Sequence, residues 1–514
     1  MVAVEHTRAS ESTVRDLRDW LARVEAIGQL HRVPEEVDWD LEMGTITYLL
    51  GKQPSSPAVL FENVKDYGSA FGSLWNQLQT FERVAISFEE PPDQPVLDLI
   101  QAVRGKLKRQ VPPLEVDATT APVNENVLLE AEVDLERLPA PRHWPLDGGR
   151  YLGTADAVIT RDPQSGVINV GTYRMMVQDR NHLGLYLSPG KDARLHLTRA
   201  WQRNEALPIA VVVGGDPLLF LVGSQAFPKN RSEYDFAGGI KNAPIEVIAG
   251  PQTGLPLPAR AELVLEGVIL PHAMQKEGPF GEFTGYYGRP EADSPLVEIT
   301  AMHYRHGAIL ANELMTDNGQ PYSSITRSAR IWDDLDRLGV PGIKGVFAHP
   351  MAASSSAMHV ISLEQRYAGH APQVLALAAQ CPAAAFFSKW IITVDEDVDP
   401  TDINQVLWAI STRCNPVDDI DILRDTWSTW LDPTQNPPDK RPYGSKALIN
   451  ACMEHRYLPV FSKRARLDRA RYEQVAARWQ QLRLPGQPPR ITAFEETSAV
   501  SYHEAQEPWT TAQG

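Results

Sequence analysis

Strand-like runs crowd residues 120–310, and on either side helical patterns alternate with apolar strand-like ones, so the sequence predicts a mixed fold of α/β, then β, then α/β. Gly 34 and Pro 41 among 514 residues agree, because so many turn residues disfavour a simple helix bundle. Length is the third observation: at ~100–200 residues per domain, 514 residues accommodate roughly two to four domains.

The first region opens with TVRDLRDWLARVEAIGQL, which places Leu17, Trp20, Leu21, Val24 and Ile27 at helical spacing as a stripe that packs on a core. Up to about residue 110, β-rich runs such as AVLFENV alternate with helical stretches such as VLDLIQAVRGKL, and the Pro-rich VPPLEVDATTAPV ends the region near 115. Over 116–315 the runs ADAVITRD, GVINVGTYRMMVQ, LGLYLS, LPIAVVVGG, IEVIAG, AELVLEGVIL and LVEITAMHYR stand between Gly/Pro turns, a pattern that fits a barrel or a sandwich. Over 316–485, SARIWDDLDRLG, APQVLALAAQ and INQVLWAISTR alternate with HVISL and KWIITVD, the rhythm of a second α/β domain. Residues 486–514 have no periodicity and read equally as a free tail or as an arm on a neighbouring subunit.

Lys plus Arg is 49 and Asp plus Glu is 65, a net charge of −16 that has the wrong sign for nucleic acid or an anionic membrane surface. No apolar run approaches the ~20 residues of a membrane span. The three cysteines, Cys381, Cys414 and Cys452, are widely spaced and lack CxxC spacing; with a start, MVAVEHTRAS, that lacks a secretion signal, they point to a cytoplasmic protein. GxGxxG, GxSxG, a Walker loop and HExxH are all absent.

Three clusters can carry chemistry. Glu277-Gly-Pro-Phe-Gly-Glu282-Phe-Thr-Gly-Tyr-Tyr-Gly forces a compact loop that brings two carboxylates together, where each perturbs the other as acid/base chemistry requires. A plain surface turn has the same composition. In Asn169-Val-Gly-Thr-Tyr-Arg174, the arginine can hold a carboxylate bidentately and the Asn amide oxygen can ligate a hard cation. Asn169 and Arg174 differ by an odd number, so serving one site requires a kink or bulge near Gly171. The third cluster is a turn-rich loop running into a helix that starts at Ser232 or Glu233; it can hold phosphate or a metal, or be an ordinary N-cap. Asp395, Asp397 and Asp399 in VDEDVDP lack the Gly and distal Glu of a calcium loop and read as an acidic strand exit.

Together NVGTYRMMVQ, SEYDFAGG, PARAELVLEGVILP, EGPFGEFTGYYG, KWIITVDEDVDP and LWAISTRCNP, in this order and spacing, resemble the UbiD family of decarboxylases, which use prenylated FMN. The resemblance runs over roughly residues 15–460. It implies an N-terminal α/β region (1–115), a central flavin-reductase-like split β-barrel that binds the cofactor (116–315), a C-terminal α/β oligomerisation domain (316–485) and a tail (486–514). Carried over by position, the family's Glu-Arg-Glu network corresponds to Glu277, Arg174 and Glu282, with Arg174 near the substrate carboxylate and Glu282 supplying the proton that replaces carbon dioxide. The family also implies a divalent metal, Mn2+ or Mg2+, with K+ nearby; Asn169 and Glu233 match two of its ligands, and Asp192 stands where relatives carry His. Thr172, Arg174, Lys191, the loop Gly223, Ser224, Gln225 and Ala226, and Lys389 match cofactor-contacting positions. Arg180 and Lys191 are expected to help make the pocket positive.

The stretch Asn318-Gly-Gln-Pro-Tyr-Ser-Ser-Ile325-Thr-Arg327 departs from many relatives, and Met315, Tyr322 and Ile325 there fit either a flat apolar substrate or an ordinary core. The implied partners are an aromatic or heteroaromatic, including polycyclic, carboxylic acid, a flavin prenyltransferase that supplies the cofactor, and further copies of the chain as a dimer or hexamer. A ubiquinone-pathway polyprenyl-hydroxybenzoate decarboxylase, a non-catalytic flavin-binding partner subunit and a metal-dependent hydrolase are the alternatives.

Overall fold

The first helix forms where its stripe predicts. In the computed structural model, Leu17–Ala26 is helical, Asp16 caps it by accepting from the Asp19 amide, and Leu17, Trp20, Leu21 and Val24 are buried. Ile27 departs from the expected stripe: it is the C-cap, beyond the last helical turn, and is 37% exposed. The structure describes residues 13–489, 491 and 494 apart from 54, 226, 318, 436–442 and 463, so Ala226, Asn318, MVAVEHTRAS and most of the 486–514 stretch lie outside the described residues.

Four strands form the N-terminal sheet, in spatial order Leu30–Val37, Ala58–Val64, Gly72–Trp75 and Ile309–Ala311. The last arrives only after the chain has passed through the central region, and it pairs in parallel with Gly72–Trp75. That return fixes the end of the central region against the first one.

The central sheet has ten strands. Its main path runs Tyr151–Leu152, Met175–Val177, His182–Leu185, Ala292–Tyr304, Leu263–Ile269, Leu207–Val213, Asp156–Arg161 and Ile168–Gly171, with Met274–Glu277 and Asn126–Leu129 also paired to Ala292–Tyr304. Along Leu207–Val213, Ile209, Val211 and Val213 enter one core cluster while Ala210 and Val212 enter another, so the strand is buried on both faces. This explains why LPIAVVV is continuously apolar and does not alternate. The hydrogen-bonded path is open: among the described residues no ladder joins Tyr151–Leu152 to Ile168–Gly171, so no closed barrel is present. The helices Asp192–Gln202, Pro217–Gly223 and Glu233–Lys241 interrupt this strand-rich stretch.

A five-stranded mixed sheet, Ile343–Ala348, Met358–Leu363, Trp390–Asp395, Tyr443–Ala451 and Ile420–Trp427, packs with Ser324–Arg337, His370–Gln380 and Ile403–Arg413 to form the C-terminal region. Asp395 does end a strand, and the acidic exit is answered by arginine: Arg413, Arg464 and Arg466 all reach the Asp397 carboxylate. The three cysteines are free, with Cys381 and Cys452 buried. Among the described residues no helix is long and apolar enough to cross a membrane.

Candidate active site

Arg174 sits where the sheet is broken. Strand Ile168–Gly171 ends, Thr172–Arg174 carry no ladder, and Met175–Val177 resumes. This is the interruption that the odd spacing of Asn169 and Arg174 requires for a shared site.

The glycine-rich loop starts at the end of strand Met274–Glu277. Gly278 has φ +88°, a conformation side chains disfavour, and a Cβ on Gly281 would lie 2.2 Å from Trp144, so the loop can fold this tightly only with glycine there. Asp147 holds the loop from beneath: its carboxylate accepts from the Gly281 amide at 2.9 Å and from the Trp144 and His143 amides at 2.9 and 3.2 Å. Burial raises the Asp147 carboxyl to about 6, opposed by those amide hydrogen bonds.

Glu277 is fully buried, and Glu282 is 5% exposed. Arg174 joins them. Its Nε and Nη2 donate to Glu277 at 2.9 and 3.3 Å, and its Nη1 meets Glu282 Oε1. The Tyr151 hydroxyl donates to Glu277 at 3.2 Å, and Arg289 stands 3.6 Å from the same carboxylate. The guanidinium also lies over the Tyr186 ring at 4.3 Å and near Phe280 at 5.1 Å. A buried arginine forked between two acids and faced by rings has little freedom to leave its orientation.

Arg174 and Glu282 open onto a cavity of about 180 Å3, and Glu277 lies behind them. The wall draws on both the central and C-terminal regions: Thr172, Lys191 and Ser224 from the first, Tyr322, Arg327 and Phe386 from the second. Burial lowers the Lys191 ammonium to about 8, with Arg327 adding to the fall, and burial lowers the Arg327 guanidinium to about 10. Neither makes an ion pair among the described residues, so the cavity holds two close cations that favour an anionic guest.

Beside the cavity, Asn169, Asp192 and Glu233 come together around Tyr173. Glu233 begins helix Glu233–Lys241, Asp192 begins helix Asp192–Gln202, and the Ala193 amide donates to the Tyr173 hydroxyl at 3.3 Å. Burial raises the Tyr173 phenol, and the Asp192 and Glu233 carboxylates push the same way. Glu233 accepts from the Val170 amide at 2.7 Å, Asp192 pairs with Lys229 at 2.5 Å, and Asn169 Nδ2 is buried without a partner. Among the described residues no group of three or more His, Cys, Asp or Glu is arranged to hold a metal; an all-oxygen set of Asn, Asp and Glu is nonetheless the donor chemistry of a hard cation.

The remaining expected residues are dispersed. Gly223 ends helix Pro217–Gly223 with a Cβ position only 3.1 Å from Val170 O, and Gln225 donates to Ser224 at 2.9 Å; neither lines the cavity. Lys389 is outside the wall as well, bound to Asp432 at 2.8 Å and Thr434 at 3.1 Å. Met315 and Tyr322 do line it, whereas Ile325, in the first turn of helix Ser324–Arg337, is wholly buried in the core. Arg180 is a correction: it points away to the Ala131 carbonyl and contributes nothing to the wall. Two charged wall residues went without a role in the sequence, Arg327 and Asp156; a lone acid at the head of the apolar run DAVIT was the available signal for the second.

Comparison with known proteins now bears on this geometry. Three family models match in succession: the 3-octaprenyl-4-hydroxybenzoate carboxy-lyase N-terminal domain over 21–103, the Rift-related domain over 114–317 and the C-terminal domain over 322–451. A phenolic acid decarboxylase from Escherichia coli O157:H7 is 32% identical over 441 residues, covering 82% of this chain and 89% of the relative. This chain belongs to the UbiD family. As a UbiD-type protein it is a carboxy-lyase, which sets aside the non-catalytic and hydrolase alternatives. Among solved structures, the closed form of the Sedimentibacter hydroxybenzoicus vanillic acid decarboxylase superposes with a TM-score of 0.81 at 29% identity, covering 92% of this chain and 99% of that one. The UbiD-class enzyme HmfF from Pelotomaculum thermopropionicum, in complex with FMN, gives 0.78 at 29% identity over 88% and 97% of the two chains, and an evolved dimeric form of HmfF was solved with prenylated FMN.

Proposed function

We propose that this chain catalyses the non-oxidative, prenylated-FMN-dependent decarboxylation of an aromatic or heteroaromatic carboxylic acid, polycyclic acids included, and that the reaction runs in reverse at high carbon dioxide. The observation that carries this is Arg174 clamped between Glu277 and Glu282, with only Glu282 and the arginine opening onto the cavity. An Arg–carboxylate pair beside a second acid is what loss of CO2 and delivery of one proton to the same carbon require.

The cavity fits a flavin nucleotide in its chemistry. Phe220, Phe280, Phe283 and Tyr322 offer flat apolar surface to a ring system, and the unpaired Lys191 and Arg327 offer charge to a phosphate. When bound, prenylated FMN supplies the electron sink that no protein side chain provides. The chain's own residues do the rest. Arg174 has five donors, only some of them taken up by Glu277 and Glu282, and orients the substrate carboxylate. The C–C bond to that carboxylate breaks, CO2 leaves, and Glu282 places a proton on the ring carbon from its carboxyl oxygen. Glu277, with Tyr151 and Arg289, keeps the guanidinium from turning away.

Asn169, Asp192 and Glu233 would hold Mn2+ or Mg2+, with K+ nearby, and Thr172, Lys191, Gly223, Ser224, Gln225 and Lys389 would surround the nucleotide. With this function go a flavin prenyltransferase as supplier, a homo-oligomer, a cytoplasmic location, boundaries near 115, 315 and 485, and a split-barrel description of the central sheet.

The test is the intact mass and absorbance of the cofactor released from protein co-expressed with a flavin prenyltransferase, followed by CO2 release from one- to three-ring aromatic acids and from lipid-tailed hydroxybenzoates. Near-stoichiometric prenylated FMN and turnover of the small acids are expected. Folded protein without flavin overturns the proposal, and turnover of lipid-tailed acids alone replaces it with the ubiquinone-pathway reaction.

A further inference from the structure

A buried carboxyl on the cavity wall has one oxygen bonded and the other without a partner. Asp156 begins strand Asp156–Arg161, is 1% exposed, and lines the cavity together with Thr172, Arg174 and Glu282. Its Oδ1 accepts from the Tyr173 amide at 3.2 Å, so the side chain is anchored directly beside Arg174. Its Oδ2 has no hydrogen-bond partner. Gly153 packs so closely against it that a Cβ there would lie 2.5 Å from Oδ2.

Arg174, which follows Tyr173, is engaged by Glu277 and Glu282, and Asp156 makes no ion pair among the described residues. Burial accordingly raises the Asp156 carboxyl well above the ordinary range, with the Tyr173 amide opposing. A neutral carboxyl in such a place is a hydrogen-bond donor through its O–H, and a buried donor without an acceptor destabilises the protein that carries it. The rest of the wall already supplies what an anion needs, in Arg174, Lys191 and Arg327. Asp156 offers something different: a short, rigid, uncharged donor.

We propose that Asp156 is a recognition residue whose Oδ2 donates a hydrogen bond to an acceptor atom, a carbonyl oxygen or ring nitrogen, on the planar heteroaromatic that fills the cavity. This rests on the flavin-dependent function above. The acceptor belongs either to the flavin ring or to a heteroaromatic substrate, and the two sources give different experimental signatures. The bond complements the carboxylate clamp: Arg174 fixes the reacting group, and Asp156 fixes the ring.

The test uses two variants of the full chain. Asp156→Asn retains an acceptor for the Tyr173 amide and presents an N–H where the acid presents its O–H; Asp156→Ala removes both. Apo protein is titrated with FMN, and the loaded enzymes are then compared on benzoic-type acids and on acids bearing a ring nitrogen or carbonyl. If the acceptor is on the flavin, Asp156→Ala weakens FMN binding by about tenfold or more, while Asp156→Asn stays within about threefold of wild type. If it is on the substrate, FMN binds all three proteins alike, and Asp156→Ala raises KM about tenfold for the acceptor-bearing acids only. Equal FMN affinity and unchanged KM in both variants overturn the proposal, as does an equal loss in both, which would mean that the ionised carboxylate is what matters. Should Asp156→Ala fail to fold, Asp156→Val takes its place in both measurements, with the same outcomes supporting or overturning the donor role. A folded wild type that binds no flavin overturns the functional proposal itself, an outcome distinct from normal binding by wild type and both variants.

Discussion

Two clusters of polar side chains lie on either side of Tyr173, and the chain completes only one of them. Around Arg174, the protein supplies the cation, two carboxylates, a phenol and two faced rings, so the guanidinium is held without any ligand. Around Asn169, Asp192 and Glu233, it supplies oxygen donors, leaves Asn169 Nδ2 buried and unbonded, and borrows the ammonium of the exposed Lys229. The difference separates groups that do chemistry from groups that hold something. A group that must act at a reacting atom is preorganised by the fold, because reorganisation during the reaction would cost rate. A ligand cage is left open until its ligand arrives.

The largest effect is expected on the completed side. Glu282→Gln keeps the shape and the contact with Arg174 but cannot deliver a proton, so kcat should fall by about 10²- to 10⁴-fold with flavin occupancy unchanged. Stopped-flow turnover on flavin-loaded protein measures this, and normal turnover would remove Glu282 from the reaction. Glu277→Ala should instead act on stability. It strips Arg174 of its bidentate partner and leaves Arg289 facing a void, at a cost of about 3 kcal/mol in a urea melt. The matching change in the open cluster, Asp192→Ala, breaks a pair whose lysine is 60% exposed and should cost less than about 1 kcal/mol. Equal losses in the two melts would erase the distinction between the clusters.

What could be read from the sequence divides along similar lines. Strands were legible because their periodicity is local: LPIAVVV is apolar throughout because both its faces are buried, and the odd spacing of Asn169 and Arg174 already demands the break that follows Gly171. Pairings between distant segments were not legible. Nothing in ILA announces that Ile309–Ala311 returns to the N-terminal sheet, and Ile27 fits the stripe of the first helix while lying just beyond its last turn. The same holds at the site. Arg174, Glu277 and Glu282 stand in motifs that their spacing makes conspicuous, but Arg180 has the same charge near the same place and turns outward to a carbonyl. Asp156 is a single letter in an apolar run, and only the tertiary fold shows that it lines the cavity with its Oδ2 buried and without a partner.

Asp147 supports the completed cluster through the backbone, and its titration gives a pH signature. Burial raises its carboxyl to about 6, above the ordinary 3.8 of an unfolded Asp. Between those values the folded state keeps a proton that the unfolded state has lost, so this group's contribution to stability is full below about 4 and declines as pH rises to about 6. The difference in unfolding free energy between wild type and Asp147→Asn should shift by roughly 3 kcal/mol over that window, in the direction of relatively lower wild-type stability at the higher pH. A flat difference would mean that Asp147 is ionised throughout.

A metal titration probes the open cluster directly. Lys229 Nζ lies 2.5 Å from Asp192 Oδ1 and so occupies one of the oxygens that a divalent cation would need. At 60% exposure the lysine gains little from that pair, but it competes with the metal both for the oxygen and through its charge. Lys229→Ala should therefore tighten Mn2+ binding to the apo protein by about tenfold, or ~1.4 kcal/mol, with no loss in melting temperature. Asp192→Asn in the same titration should weaken it, since an amide gives one neutral oxygen where the carboxylate gave two charged ones. Opposite shifts in the two variants would identify Asp192 as a ligand for which Lys229 stands in. Unchanged Mn2+ affinity in both would place the metal elsewhere and leave Asp192 and Lys229 as an ordinary ion pair at the start of a helix.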